Sequence, residues 1–227
     1  MKLSVVIPFY NEENMIQKMY DELVKEINQI TKAEFEIIFI NDGSKDRTFE
    51  RMLAIAAGDS RVKYISFSRN FGKEAGTIAG LEYATGEAVI LMDGDLQHPP
   101  AMLPQMIEAY EQGYDVVSAR RTRTGEKPHR TFLAKHFYKL ANKMMDIELM
   151  DGVSEFRLFS RKVVNAINSM QEYNRFSKGI FAWIGFNEKV IEYENQVRTV
   201  GETKYSLKFS LNYAIQGILS FNDKPLR

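Results

Sequence analysis

A doubly wound α/β fold with a mostly parallel sheet is predicted by three features of this sequence. Short apolar, β-branched runs alternate with stretches whose apolar residues recur at helical spacing. Each strand-like run is closed by polar or turn-forming residues. Several of those polar residues, namely Asn11, Asp42, Ser68-Arg69 and Asp93, fall just past a predicted strand end, where sheets of this kind bind ligands.

The elements follow in order. Leu3–Phe9 is apolar with a β-branched centre, and reads as a buried parallel strand. Asn11 is expected to cap a helix, with Glu12 and Glu13 in its favourable first turn. Met15, Ile16, Met19, Leu23, Val24, Ile27 and Ile30 then form one helical face. Phe35–Ile40 is a second strand, stopped by Asn41-Asp42-Gly43-Ser44, and Asp46 to Ala57 a second helix. Val62–Phe67 is a third strand. Gly72, Gly76 and Gly80 recur every four residues in the next helix, which is expected to approach the sheet closely through them. Ala88–Met92 is a fourth strand, closed by Asp93-Gly94-Asp95. Pro99 and Pro100 open a helix that ends near Gly113, and Tyr114–Ser118 is a fifth strand. The second half is less regular. Helices are expected near 131–145, 161–170 and 174–184, then a strand near 188–194. Residues 205–221 fit both strand alternation and helical spacing. Their length favours a helix with a wide apolar face, suited either to a membrane surface or to docking on the core as an ordinary terminal helix.

Composition bounds the possibilities. The 227 residues fit one large domain with an ample core, and 44% hydrophobic with 26% charged content excludes wholesale disorder. The chain has no cysteine, which excludes disulfide scaffolds, thiolate zinc sites, Fe–S clusters and a cysteine nucleophile. No run approaches 18 apolar residues, and Met1 leads straight into a strand, so neither a bilayer span nor a signal peptide is expected. Net charge is zero but unevenly spread: residues 1–119 carry −8 and residues 120–227 carry +8. Eight basic residues against one acidic residue in 120–143 point either to an anionic partner such as phosphate or a membrane surface, or to a solvated helix face. An acidic N-terminal half and the lack of any nucleic-acid motif speak against nucleic acid. There is no dinucleotide-binding glycine pattern, P-loop or nucleophile elbow, and His98, His129 and His136 are too scattered for a zinc site.

Asp93-Gly94-Asp95 is the sharpest motif. Two carboxylates two residues apart, past a buried strand, suit a hard divalent cation, Mg²⁺ or Mn²⁺, whose shell substrate phosphates complete. Gln97 is a further oxygen donor for the metal. Asn41-Asp42-Gly43-Ser44 is either a turn or a place where an acid meets a ribose or base.

The ordered set Val5-Val6-Ile7-Pro8-Phe9-Tyr10-Asn11-Glu12, Asn41-Asp42-Gly43-Ser44-Lys45-Asp46-Arg47-Thr48, Ser68-Arg69-Asn70-Phe71-Gly72-Lys73 and Asp93-Gly94-Asp95-Leu96-Gln97-His98-Pro99 resembles glycosyltransferase family 2. The resemblance continues through Glu155-Phe156-Arg157-Leu158, Arg175-Phe176-Ser177-Lys178-Gly179 and Arg198-Thr199-Val200-Gly201-Glu202-Thr203-Lys204-Tyr205. It is nearest the dolichol-phosphate mannose synthase and undecaprenyl-phosphate (bactoprenol) glycosyltransferase branch. This resemblance implies a GT-A type fold over residues 1–200 and an amphipathic juxtamembrane segment over 201–227. It implies an inverting, metal-dependent enzyme at the cytoplasmic face of the membrane, with a nucleotide-sugar donor and a polyprenyl-phosphate lipid acceptor. UDP-glucose or UDP-N-acetylglucosamine is the donor expected.

By the same resemblance Pro8, Tyr10, Glu12 and Asp42 hold the nucleoside. Asp93, Gly94 and Asp95, with Gln97, hold the metal and the donor diphosphate. Arg198 and Lys204 cover the diphosphate, and Arg120, Arg130 and Lys178 meet the acceptor phosphate. The branch carries Asp before Phe-Arg-Leu as its proposed base. Here Glu155 stands in that place, with Asp151 as a second candidate and Arg157 as a pairing partner for Glu155. The branch continues into two transmembrane helices where this sequence stops, which implies a truncated catalytic region or a tail-less member. A glycan acceptor and a non-catalytic nucleotide-sugar-binding module are the alternatives. The oligomeric state, a homo-oligomer included, stays open.

Overall fold

The computed structural model describes residues 1–122, 142, 152–170 and 176–194. Seven strands form one sheet: β1 (Lys2–Phe9), β2 (Glu34–Asn41), β3 (Val62–Ser66), β4 (Ala88–Leu91), β5 (Val116–Arg121), β6 (Val153–Ser160) and β7 (Glu188–Tyr193). Among the described residues six α-helices accompany them: α1 (Ile16–Ile27), α2 (Thr48–Gly58), α3 (Lys73–Tyr83), α4 (Leu103–Glu111), α5 (Arg161–Ser169) and α6 (Ser177–Trp183). The strand order is β3-β2-β1-β4-β6-β5-β7. Every neighbouring pair is parallel except those of β6, which runs antiparallel to both β4 and β5.

Strand alternation divides the core into two layers. Leu3, Val5, Ile7 and Phe9 of β1 point to one face, with Ile37 and Phe39 of β2 and Ile90 of β4. There they meet Ile16, Met19, Leu23 and Ile27 of α1, Met52 of α2 and Met106 and Ile107 of α4. Val6, Ile38, Ile40, Val89, Leu91 and Phe159 point to the other face. They meet Leu81 of α3, Val163, Val164 and Ile167 of α5, and Ile180 and Phe181 of α6. Helices therefore cover both sides of a mostly parallel sheet, as the alternating pattern requires.

Four expectations are corrected. Val153–Ser160 is a central strand for which the sequence pattern predicts no element. Asn11 does not cap α1. It takes a positive φ of 51°, and its Oδ1 accepts the Lys45 N–H at 2.8 Å, so α1 begins only at Ile16. Of the spaced glycines, Gly80 does permit close approach: a Cβ there would lie 2.1 Å from Val6 Cγ1. Gly72 serves another purpose, since it precedes α3 with φ of 95° and open space around it. The fifth strand spans Val116–Arg121 rather than 114–118, because its pairing with β6 and β7 begins at Val116. The helices expected near 131–145 and within 205–221 lie outside the described residues. Among the described residues, no helix is long and apolar enough to cross a membrane.

Candidate functional site

The carboxyl ends of β1, β2 and β4 lie along one edge of the sheet, and antiparallel β6 begins at that same edge. The loop after β1 is fastened to the loop after β2. The Asn11 N–H donates to Ser44 Oγ at 3.0 Å, the Glu12 N–H to Thr48 Oγ1 at 2.8 Å, and the Glu13 N–H to Asp46 Oδ2 at 3.1 Å. This holds Tyr10 and Glu12 beside half-buried Pro8, at the end of β1. Gly43 lets the second loop touch the third: a Cβ there would come within 2.3 Å of the Arg69 carbonyl carbon.

Asp42 is buried at the end of β2, on the α3 face of the sheet. Its carboxylate accepts the Phe71 N–H at 2.7 Å, the Gly72 N–H at 3.0 Å and the Asn70 side-chain amide at 2.8 Å. Burial raises its pKa, and the Phe71 and Gly72 N–H groups only partly offset that rise. The side chain thus fixes the turn that launches α3.

The first residue of α3 is Lys73, the last residue of the Ser68–Lys73 motif, to which the sequence alone attaches no role. Its Nζ lies 2.6 Å from Asp93 Oδ1 and 2.8 Å from Glu155 Oε2. Strand register explains the convergence. Leu91 pairs with Arg157, so two residues further along β4 and two back along β6 bring Asp93 and Glu155 side by side. Strand alternation places both on the face that α3 covers. Desolvation lowers the Lys73 pKa, but the two carboxylates outweigh it and hold the ammonium well above the ordinary lysine range. Glu155 is thus a nearly buried strand residue rather than a surface one. Arg157 pairs with Glu188 at 3.3 Å, not with Glu155 as the sequence suggested. Burial lowers the Arg157 pKa, opposed by Glu188 and Glu155.

Asp93-Gly94-Asp95 forms the next part of the rim. A Cβ on Gly94 would lie 2.3 Å from Phe9 Cε1, so glycine is demanded by a packed ring. Asp95 Oδ1 accepts the Gln97 N–H at 3.1 Å. His98 is buried and stacks on Phe156, with ring centroids 5.2 Å apart. Its Nδ1 accepts the Asp93 N–H at 2.9 Å, which puts the neutral ring's proton on Nε2, 3.7 Å from the Asp93 carboxylate. Burial lowers the His98 pKa, and the carboxylates of Asp93, Asp95 and Glu155 oppose this while Lys73 adds to it. His98 therefore acts as a brace for Asp93, a role the sequence gave no sign of.

Among the described residues, no group of three or more histidine, aspartate or glutamate side chains stands ready to hold a metal ion. Asp93 and Asp95 nevertheless fit Mg²⁺ or Mn²⁺, hard ions that take one or two carboxylates and fill their shell with phosphate and water. Arg120, at the carboxyl end of β5, pairs with Glu192 of β7 and is 43% exposed. Arg130, Asp151, Arg198, Lys204 and the side chain of Lys178 lie outside the described residues.

The sequence profile described as Glycosyl transferase family 2 matches residues 4–167. This chain belongs to glycosyltransferase family 2. The match runs from β1 through β6 into α5, so it contains every described part of the rim except β7. CsbB of Bacillus subtilis (strain 168) is 50% identical over 225 residues, covering 99% of this chain and 68% of CsbB. The prophage bactoprenol glucosyl transferase homolog of Escherichia coli (strain K12) is 43% identical over 228 residues, covering all of this chain and 74% of the relative. In fold, this family 2 chain is similar to glucosyl-3-phosphoglycerate synthase of Mycobacterium tuberculosis, solved with Mn²⁺ and UDP-glucose. The TM-score is 0.60 at 20% identity, over 96% of this chain and 76% of that one. The mannosyltransferase PcManGT of Pyrobaculum calidifontis, solved with GDP-Man and Mn²⁺, gives a TM-score of 0.60 at 18% identity, over 84% of this chain and 54% of that one. The chain is thus a glycosyltransferase with a GT-A fold.

Proposed function

We propose that this enzyme transfers a sugar from UDP-glucose, or UDP-N-acetylglucosamine, to a polyprenyl phosphate at the cytoplasmic membrane face, by one inverting displacement. The observation that carries the proposal is the convergence of Asp93, Glu155 and Lys73 at the sheet edge, beside Asp95. Relatives of 42–43% identity named bactoprenol glucosyl transferase support the glucose donor and the lipid acceptor.

In this reading Pro8, Tyr10, Glu12 and Asp42 form the nucleoside end, with Asp42 acting through the turn it holds. Asp93 and Asp95, with Gln97, hold Mg²⁺ or Mn²⁺, which supplies charge neutralisation at the departing diphosphate. Glu155 faces the sugar's reacting carbon from β6. A phosphomonoester's second pKa is about 6, so the acceptor arrives largely ionised. Glu155 then orients the acceptor and need not be a strong base. Arg120, Arg130 and Lys178 meet the acceptor phosphate, and Arg198 and Lys204 close over the donor diphosphate.

The test is calorimetric titration of UDP-glucose, UDP-N-acetylglucosamine and GDP-mannose, with and without Mn²⁺, against wild type and Asp95→Ala. It is paired with transfer of labelled sugar into polyprenyl phosphate. Metal-dependent binding of one donor, lost in the variant, with label in the lipid, is expected. Label entering a glycan and not the lipid overturns the acceptor; no donor binding under any metal condition overturns the donor site.

A further inference from the structure

We propose that Lys73 competes with the divalent cation for Asp93, and that this competition makes cation and nucleotide bind cooperatively. The inference rests on the cation reading of Asp93 and Asp95 given above. The ammonium of Lys73 lies 2.6 Å from Asp93 Oδ1, inside the space a cation on that carboxylate would share. It is not a freely swinging side chain. Lys73 begins α3 directly after Gly72, whose N–H is held by Asp42, and its second partner, Glu155 at 2.8 Å, is nearly buried. A divalent ion arriving at Asp93 therefore meets a positive charge already at contact distance, where repulsion is strong in a partly desolvated site. The ion displaces the ammonium from Asp93 and leaves it on Glu155. A nucleoside diphosphate brings negative charge to both cations at once and removes the repulsion. Cation affinity is then low without nucleotide and high with it, and by linkage the nucleotide gains equally from the cation. Lys73 is a positioning residue in this scheme, and it sets the size of the coupling.

The test is Mn²⁺ binding followed by electron paramagnetic resonance, with and without UDP, on wild type, Lys73→Met, Lys73→Arg and Asp95→Asn. Lys73→Met should bind Mn²⁺ alone about tenfold more tightly, a typical size for site-to-site coupling. UDP should then improve Mn²⁺ binding less than it does in wild type. Lys73→Arg keeps the charge and should keep the wild-type coupling. The absence of either change in Lys73→Met overturns the proposal. Mn²⁺ binding that Asp95→Asn leaves intact instead overturns the cation reading itself, so the two failures are distinguishable. Should Lys73→Met lack a cooperative melt, Lys73→Gln repeats the measurement with a shorter neutral side chain.

Discussion

Asp42 accepts the backbone N–H of Gly72 at 3.0 Å, tying the end of β2 to the start of α3. Asp42→Ala would leave that N–H and the Phe71 N–H without their acceptor, and would leave the Asn70 amide only its longer 3.4 Å contact with the carbonyl of residue 42. A loss of about 1–3 kcal/mol in stability is expected, since unmet buried donors carry their desolvation cost. Turnover should fall as well, because Lys73 rides on the same turn. Thermal melts with kcat and donor KM check this. A change in KM alone, with stability and kcat intact, would assign Asp42 to the donor only.

Glu36 predicts the acid limit of the fold. It is buried on β2 and accepts from Ser4 Oγ at 2.6 Å, the Thr85 N–H at 2.6 Å and Lys63 at 2.8 Å. Burial alone would raise its pKa, but these partners bring it down to about 2 from 4.5. A depressed folded-state pKa means the stabilisation is complete above about pH 4.5 and is lost as pH falls toward 2. The contribution is on the order of 3 kcal/mol. Glu36→Gln should be less stable at pH 7 and show a flatter loss between pH 5 and 2. Urea denaturation across that range measures it.

Gly80→Ala should cost about 1–3 kcal/mol by overpacking α3 against β1. The clash is with Val6 Cγ1, so the cost should shrink when Val6→Ala is combined with it. A double-mutant cycle measured by denaturation decides whether the two sites couple. Simple additivity would show that α3 shifts as a body instead.

Glu155→Gln should lower kcat by roughly 10²-fold or more, the scale for a positioned group at a reacting centre, with donor KM little changed. Glu155→Asp restores the residue type expected by resemblance, but withdraws the carboxylate from Lys73 by about one methylene. It should retain part of the activity. Lipid-product kinetics on both variants check this, and full activity in Glu155→Gln would remove the residue from the chemistry.

Much of this architecture was legible in the sequence because the central strands are covered on both sides. Their runs, such as Val5-Val6-Ile7 and Val89-Ile90-Leu91, are then continuous in apolar residues and hard to misread. β6 escaped because Glu155 and Arg157 interrupt its apolar run. The sequence pairs the two charges with each other, yet they are buried against Lys73 and Glu188, 82 and 31 residues away. No local pattern announces partners at that distance. The carboxylates of the rim carry a role in their motifs, whereas Lys73 stands in its motif without one. Its significance depends on β6 lying next to β4, and that pairing is a property of topology. Asn11 misled for a related reason: its side chain serves the neighbouring loop rather than its own helix.

The place of β6 in the sheet also sets an order of events during synthesis. Leu91 waits for Arg157, 66 residues later, to cover its open side. Until then β3, β2, β1 and β4 can pair among themselves, while β4 presents an unpaired edge. β5 emerges before β6 and cannot lie directly against β4 without occupying the slot that β6 needs. A growing chain therefore carries its acidic rim half built, without Glu155, and the return of β6 to β4 across that sequence separation completes sheet and site together. A ribosome-stalled chain ending before residue 153 should expose this edge to chaperones and strand-pairing partners, and one extended past α5 should not.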